Sequence, residues 1–454
     1  MTSHLVPLHP KISHQAAWVV GCRIVGIVCT IASNMLVSRL LGPAGYGAFL
    51  IATSILAFGC LLALGGLSEA GLRFVSESLG LRKIVQARAY LLTTLQWAIS
   101  SSIIATSFVL AFLLLLRRFG GPAEFNLFAI LLVGLGVLVL TWQQLTSQLL
   151  RGLNDLRSAS FYSGGQTGGP LSNLIFIFPI SLAWYCWVPL TTTQIIGLLV
   201  GSICVTLPIA FWELSRTGRF RFHTARDSAF LSLSPTQKRE FTEVAVSFLG
   251  IQVLAFVATQ SDLWIGMWIL DSEELGLYGA VKRGLVIAQM PLQMALMSIQ
   301  GSIPSFYAQG RYVELERNYR TAISLAAIPA FASIILFLVF PSEVLTVICG
   351  NSFSSAAPMV APLAVGLIAL LFFGSPGDVL AMTGNHRLVL RVNAISAMGL
   401  IAFGTLAAAK AGPVGLAMSS SLVYAGQNAI LWWMAKKKLG IWTHIRYKRS
   451  SSNP

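Results

Sequence analysis

Phe125–Leu150 reads FNLFAILLVGLGVLVLTWQQLTSQLL, without one charged side chain from end to end. As a helix rising 1.5 Å per residue, a stretch of this length crosses the ~30 Å hydrocarbon core of a bilayer. Arg117, Arg118 and Glu124 lie just before it and Arg151 just after, as expected of a segment whose ends meet water. Similar blocks recur on both sides. Apolar runs between charged or Gly/Pro breaks predict about twelve spans, over 16–38, 46–70, 89–116, 125–150, 160–184, 193–213, 241–270, 276–304, 320–341, 357–383, 388–410 and 414–435. The segments 38–46 and 270–276 are tight turns, so their flanking helices form antiparallel hairpins.

The whole composition agrees with this block. Of 454 residues 55% are hydrophobic and only 10% charged, with a mean hydropathy of +0.74. A soluble chain carries about 25% charged residues. The fold class predicted is an all-α integral membrane protein. The net charge of +15 does not point to nucleic acid, because Lys and Arg sit in short runs between the apolar blocks. No basic face interleaved with aromatics is present. They act instead as topology signals. With the N-terminus inside, only Arg39, Arg117, Arg118 and Lys410 fall outside, against twenty-four on the inner side. That bias predicts an even number of spans and cytoplasmic termini. The six cysteines (Cys22, Cys29, Cys60, Cys186, Cys204, Cys349) form no C-x-x-C pair and predict neither a metal nor a disulfide framework. The first block follows Met1–Gln15 without an A-x-A cleavage site, so it is expected to be retained.

The longest polar stretch, Leu214–Glu240, divides the chain into a six-helix lobe (1–213), a cytoplasmic linker (214–240), a second six-helix lobe (241–438) and a cytoplasmic tail (439–454). A shift of 232 residues supports a duplication: Tyr46-Gly47-Ala48 falls on Tyr278-Gly279-Ala280, Phe74 on Phe306, Arg88 on Arg320 and Gly152 on Gly384. Each coincidence lies at the same place in the hydropathy pattern. Two six-helix bundles in a parallel repeat imply a pseudo-two-fold along the membrane normal, a layout suited to alternating access.

Within this frame Ser38–Gly47, SRLLGPAGYG, resembles the first-loop signature of polysaccharide flippases in the multidrug/oligosaccharidyl-lipid/polysaccharide superfamily. Leu275–Arg283, LGLYGAVKR, resembles that family's LGxYxxAxR segment, departing at Val281, where the pattern has Ala. Asp262 and the apolar helix after it look like the family's seventh span. Val379–Arg387, VLAMTGNHR, is similar to its turn before span eleven, and Gly412–Ala417, GPVGLA, to its start of span twelve. The likeness runs in family order over nearly the whole chain. It implies a bacterial inner-membrane flippase. Its substrate would be an undecaprenyl-pyrophosphate-linked sugar repeat unit moved outward for O-antigen, capsule or exopolysaccharide assembly, with membrane lipids and a polysaccharide polymerase or ligase as partners. Many relatives, the lipid II flippases among them, have fourteen spans; about twelve here tilts against a lipid II substrate.

A lipid-linked oligosaccharide has an anionic pyrophosphate, so basic residues inside apolar spans are the first candidates for contact with it. Arg23, in the first span, either lines a wet cavity or snorkels to the inner headgroups. Asp262 and the pair Lys282/Arg283 lie at similar depths on antiparallel neighbours. They are either a structural ion pair or a coupling site, with Asp262 taking H⁺ or Na⁺ and Lys282 or Arg283 meeting the pyrophosphate. Asp378, beside Gly374-Ser375-Pro376-Gly377, marks a kinked hinge or an ion or glycan contact. Glu69 and Arg73, spaced i, i+4, are expected to form a salt bridge at an inner gate. Gln143, Gln144, Gln148, Gln166 and Asn173 place amides on spans four and five, for sugar hydroxyls or for interhelical bonds. No catalytic set appears: the histidines (His4, His9, His14, His223, His386, His444) are terminal or in loops, and neither H-E-x-x-H nor G-x-S-x-G occurs. A non-enzyme without cofactor or metal is expected. The rival readings are a drug/cation antiporter of the same superfamily, which should prefer an acidic cavity, a non-transport scaffold of polysaccharide assembly, and a membrane polymerase, which should carry a large outer loop.

Overall fold

The computed structural model describes residues 10–118, 126–164, 168–221, 233–300, 303, 306–307 and 309–445, and the regular elements among them are helices. In chain order these are α1 (Pro10–Leu64), α2 (Leu67–Gly80), α3 (Ile84–Arg118), α4 (Leu127–Gly152), α5 (Leu156–Tyr162), α6 (Pro170–Tyr185), α7 (Thr192–Arg221), α8 (Pro235–Ile269), α9 (Ser272–Gln300), α10 (Tyr312–Val339) and α11 (Pro341–Cys349). A 3₁₀ segment, Asn351–Met359, leads into α12 (Val360–Phe373). Then come α13 (Pro376–Leu380), a π-turn (Ala381–Asn385) and α14 (His386–Leu439). By length and composition, eight described helical stretches can cross a membrane: Gly21–Leu64, Ile84–Arg118, Leu127–Gly152, Thr192–Gly218, Pro235–Ile269, Tyr312–Val339, Asn351–Phe373 and Pro376–Leu439. The chain is a multi-pass membrane protein.

Two of these stretches exceed one crossing and are broken inside. In α1 the break is Gly42 (φ 65°, ψ −178°) before Pro43, and in α14 it is Ala411 and Gly412 (φ 56°, ψ −145° at the glycine) before Pro413. A positive φ suits glycine, and proline after it lacks the amide that would continue the helical ladder. Two expected spans are shorter than their hydropathy suggests. The span expected over 46–70 stops at Leu64, where Gly65 and Gly66 both take positive φ, and α2 starts anew at Leu67. The span expected over 160–184 is split into α5 and α6, with Pro170 opening the second piece, so only 16 residues remain in α6. Hydropathy registers the apolar content of both stretches but not their backbone breaks. Of the expected linker 214–240, residues 222–232 lie outside the described residues, as do 446–454 of the expected tail.

The chain packs as two compact units, one of residues 1–41 and 48–253, the other of 42–47 and 254–454. In the first, α4 is central: Val133, Val137, Leu140, Leu145, Leu149 and Leu150 are fully buried, while Leu131 and Leu135 on its other face are exposed, as suits contact with lipid. Phe74 of α2 stacks on Tyr90 of α3 at 4.8 Å, and Phe241 of α8 meets both rings. In the second unit α9 packs on α10 and α12 on α14. The segment Gly42–Gly47 belongs to this unit. Tyr46 is fully buried with its ring edge-on to Phe353 at 5.9 Å. Gly47 and Gly276 bring two backbones together: a Cβ on Gly47 would lie 2.3 Å from the Ser272 carbonyl oxygen, and one on Gly276 only 1.8 Å from that of Pro43. No side chain fits there.

Candidate functional site

In the second unit the apolar packing is interrupted by a carboxylate. Asp262 is 5% exposed on α8, close to the turn into α9. That short turn lays α9 back along α8, so the charged residues approach each other. Lys282 Nζ lies 2.7 Å from Asp262 Oδ1 and 2.8 Å from Oδ2, and donates a third hydrogen bond to the Thr259 carbonyl at 2.8 Å. Tyr278, one helical turn before Lys282 on the same face of α9, donates its hydroxyl to Asp262 Oδ2 at 2.6 Å. Ser420 Oγ of α14 lies 3.3 Å from that hydroxyl. Pairing answers the cost of burying single charges in a low-dielectric interior, about 2.5–3.5 kcal/mol each at a helix centre on insertion scales. Arg283, one residue on, is turned away by about 100° and acts electrostatically on Tyr46.

Asp378 stands apart from this pair in its bonding. It sits in the break between α12 and α13, where Gly374 (φ 71°) and Ser375 (φ 44°) both take left-handed backbone. Ser375 Oγ donates to Asp378 Oδ2 at 2.7 Å, and the Tyr319 hydroxyl donates to the Gly374 and Ser375 carbonyls at 2.5 and 2.9 Å. The segment after α14 fastens the same break from outside the spans. Thr443 Oγ1 donates to the Phe373 carbonyl at 2.8 Å, the Ile445 amide to that of Phe372 at 3.1 Å, and the Trp442 amide to Glu316 Oε2 at 3.0 Å. His444 is the pin of this strap. Its carbonyl accepts from Arg320 Nε at 3.0 Å, while the Arg320 guanidinium faces ring Nε2 at 3.1 Å and the Trp432 indole N–H faces Nδ1 at 3.3 Å. Burial, then Arg320, holds the imidazole below its ordinary pKa, against an opposing pull from Glu316.

The first unit holds a second polar cluster. Glu69 of α2 accepts from Gln148 Nε2 of α4 at 3.1 Å, Arg151 lies 3.4 Å from Gln148 Oε1, and Arg151 also bonds Ser163. The expected Glu69–Arg73 salt bridge is not formed. Glu69 turns inward toward α4, whereas Arg73 is exposed and lies over the Phe74 ring, 5.6 Å from its centroid. An interior hydrogen-bond partner wins over a neighbour that would have to leave the surface. Arg23 is exposed on α1 and within electrostatic range of Arg151. Of the amides, Gln143 is buried and bridges Ser172 Oγ at 2.5 Å and Thr206 Oγ1 at 3.1 Å, joining α4, α6 and α7. Asn173 reaches Thr30 at 3.2 Å. Gln144 is half-buried on α4, and Gln166 lies outside the described residues. Sequence reading missed Tyr278, whose signal was its i, i+4 spacing from Lys282. Arg151, just beyond the span 125–150, and the strap, which carries no motif, give no such signal in the sequence.

This fold is that of transporters of the multidrug/oligosaccharidyl-lipid/polysaccharide superfamily. It is similar to an inward-facing multidrug-resistance MATE family transporter of that superfamily (TM-score 0.68, 13% identity, covering 91% of this chain and 94% of that one). It is similar also to the lipid II flippase MurJ in an inward closed conformation (TM-score 0.66, 14% identity, 93% and 87%). A third likeness is to a superfamily transporter from Pyrococcus furiosus described as having a binding pocket of reverse polarity (TM-score 0.58, 15% identity, 94% of each chain). No curated protein matches in sequence. The polysaccharide biosynthesis protein family matches residues 18–306, and the chain belongs to that family.

Proposed function

We propose that this protein is a flippase that carries undecaprenyl-pyrophosphate-linked oligosaccharide repeat units from the cytoplasmic to the outer leaflet of a bacterial inner membrane. Family membership over residues 18–306 carries the reading. The superfamily fold supports transport, but antiporters share it, so the fold alone does not choose the cargo. In this proposal twelve spans form two six-helix lobes, 1–213 and 241–438, that alternate in access, with both termini cytoplasmic. Arg23, Lys282, Arg283, Gln144 and Gln166 contact the pyrophosphate and sugars. Glu69 and Arg73 lie at the inner gate, Glu69 acting through Gln148 and Arg151 rather than through Arg73.

Ion coupling by H⁺ or Na⁺ is assigned to Asp262 and Asp378. At Asp262 the chemistry is direct: a proton on the carboxylate cancels the charge that holds Lys282 and frees an ammonium for an anion. Moving one charge through 100 mV supplies ~2.3 kcal/mol for such a switch. The test is deletion of the gene followed by analysis of sugar intermediates. Lipid-linked repeat units should accumulate on the inner leaflet; absence of that accumulation refutes the assignment. The antiporter reading is separated by a drug-resistance assay in a pump-deficient host, where this protein should give no protection.

A further inference from the structure

The surroundings of Lys282 resemble an ion site more than a simple ion pair. Its ammonium has three protons and no acceptor, and it meets three oxygens at 2.7–2.8 Å: both carboxylate oxygens of Asp262 and the carbonyl of Thr259. A bidentate carboxylate with a main-chain carbonyl is an oxygen set of the kind that binds hard cations. The Leu263 amide donates at 2.9 Å to Asp262 Oδ1 and so holds that carboxylate oxygen in place. Tyr278 fixes the other carboxylate oxygen. In the same helical turn Gln260 Oε1 and Ser261 Oγ are buried without hydrogen-bond partners. The Lys282 side chain is 26% exposed against 7% for Asp262, so the place it fills can be reached from outside the pair.

We propose that the Lys282 ammonium occupies, as a tethered ion, a monovalent-cation site formed by the Asp262 carboxylate and the Thr259 carbonyl, so that the wild-type chain takes no free cation there. Ammonium and potassium ions are close in size, so potassium or free ammonium is the ion this cradle accepts once the lysine is removed. The inference narrows the coupling chemistry at Asp262 to protonation, because a tethered ammonium can swing aside from the carboxylate but cannot be exchanged with the bulk as a free ion is. It does not depend on the cargo.

The experiment measures thermal unfolding of the purified full-length protein in detergent, in potassium, ammonium or choline chloride at equal ionic strength. The wild type should unfold at one temperature in all three. Lys282→Ala should unfold earlier in choline and recover several degrees, saturably, in potassium or ammonium, since a ligand bound only by the folded state raises its stability. Lys282→Met, which keeps the apolar stem, should do the same. The double variant Asp262→Asn/Lys282→Ala should lose the response. A potassium-specific rise in the wild type overturns the proposal, as does an equal melting temperature of both lysine variants in potassium and choline. The readout is stability, so a failed flippase assignment would leave these outcomes unchanged.

Discussion

Asp262 illustrates what a single residue does in this interior. Removing one member of a buried ion pair typically costs 3–5 kcal/mol, because the other is left uncompensated. Here Lys282 retains 26% exposure, so Asp262→Asn should cost less, about 2–3 kcal/mol. Asp262→Asn/Lys282→Met should recover most of that, and denaturation of the purified variants in detergent measures both. His444 acts at the same scale outside the spans. Both ring nitrogens face N–H donors, so a second ring proton has no acceptor. Its folded pKa is lowered, so the strap's contribution is full above the ordinary imidazole value of about 6.5 and is lost as pH falls through the depressed value. Wild-type melting temperature should therefore drop on acidification from pH 7 to pH 5, and His444→Gln should flatten that part of the profile.

At the scale of elements, glycines place the breaks and the close approaches. Gly42 ends the first part of α1, and the next five residues reach Gly47, whose backbone lies against α9 at Gly276. A methyl group on Gly276 would meet main chain, not a flexible side chain, so the helix start would have to move. Gly276→Ala should cost more than about 4 kcal/mol, at the severe end of point mutations. Gly284→Ala, on the same helix but facing only the Phe337 ring at 3.2 Å, should be milder. Relative yield and melting temperature of the two variants check the order. The paired motifs of the sequence, SRLLGPAGYG and LGLYGAVKR, are thus two sides of one contact inside the second unit. Neither motif announces that by itself.

Over the whole molecule, the distribution of Lys and Arg predicts which ends face the cytoplasm. Cys186, just after α6, is exposed, while Cys29, Cys60 and Cys349 are buried. With an inner N-terminus and twelve spans it falls on the outer side. A membrane-impermeant thiol reagent should therefore label Cys186 in intact spheroplasts, and Cys186→Ser should remove the signal. Labelling only after the membrane is opened would reverse the proposed orientation.

Apolar blocks such as Phe125–Leu150 determined by themselves that this chain belongs in a bilayer, because no water-soluble packing can hide so many uncharged stretches. Composition along the chain is enough for that, since transfer into hydrocarbon adds up residue by residue. The near approach of Asp262 and Lys282 was also legible, because a short turn between two helices equates depth with sequence distance. Partner choice was not. That Glu69 prefers Gln148 over Arg73, that Tyr278 and the Thr259 carbonyl complete the Lys282 cradle, and that residues 440–445 fasten the α12–α13 break depended on helix rotation and on contacts between residues distant in sequence. Those are decided only when packing fixes which face of each helix turns inward.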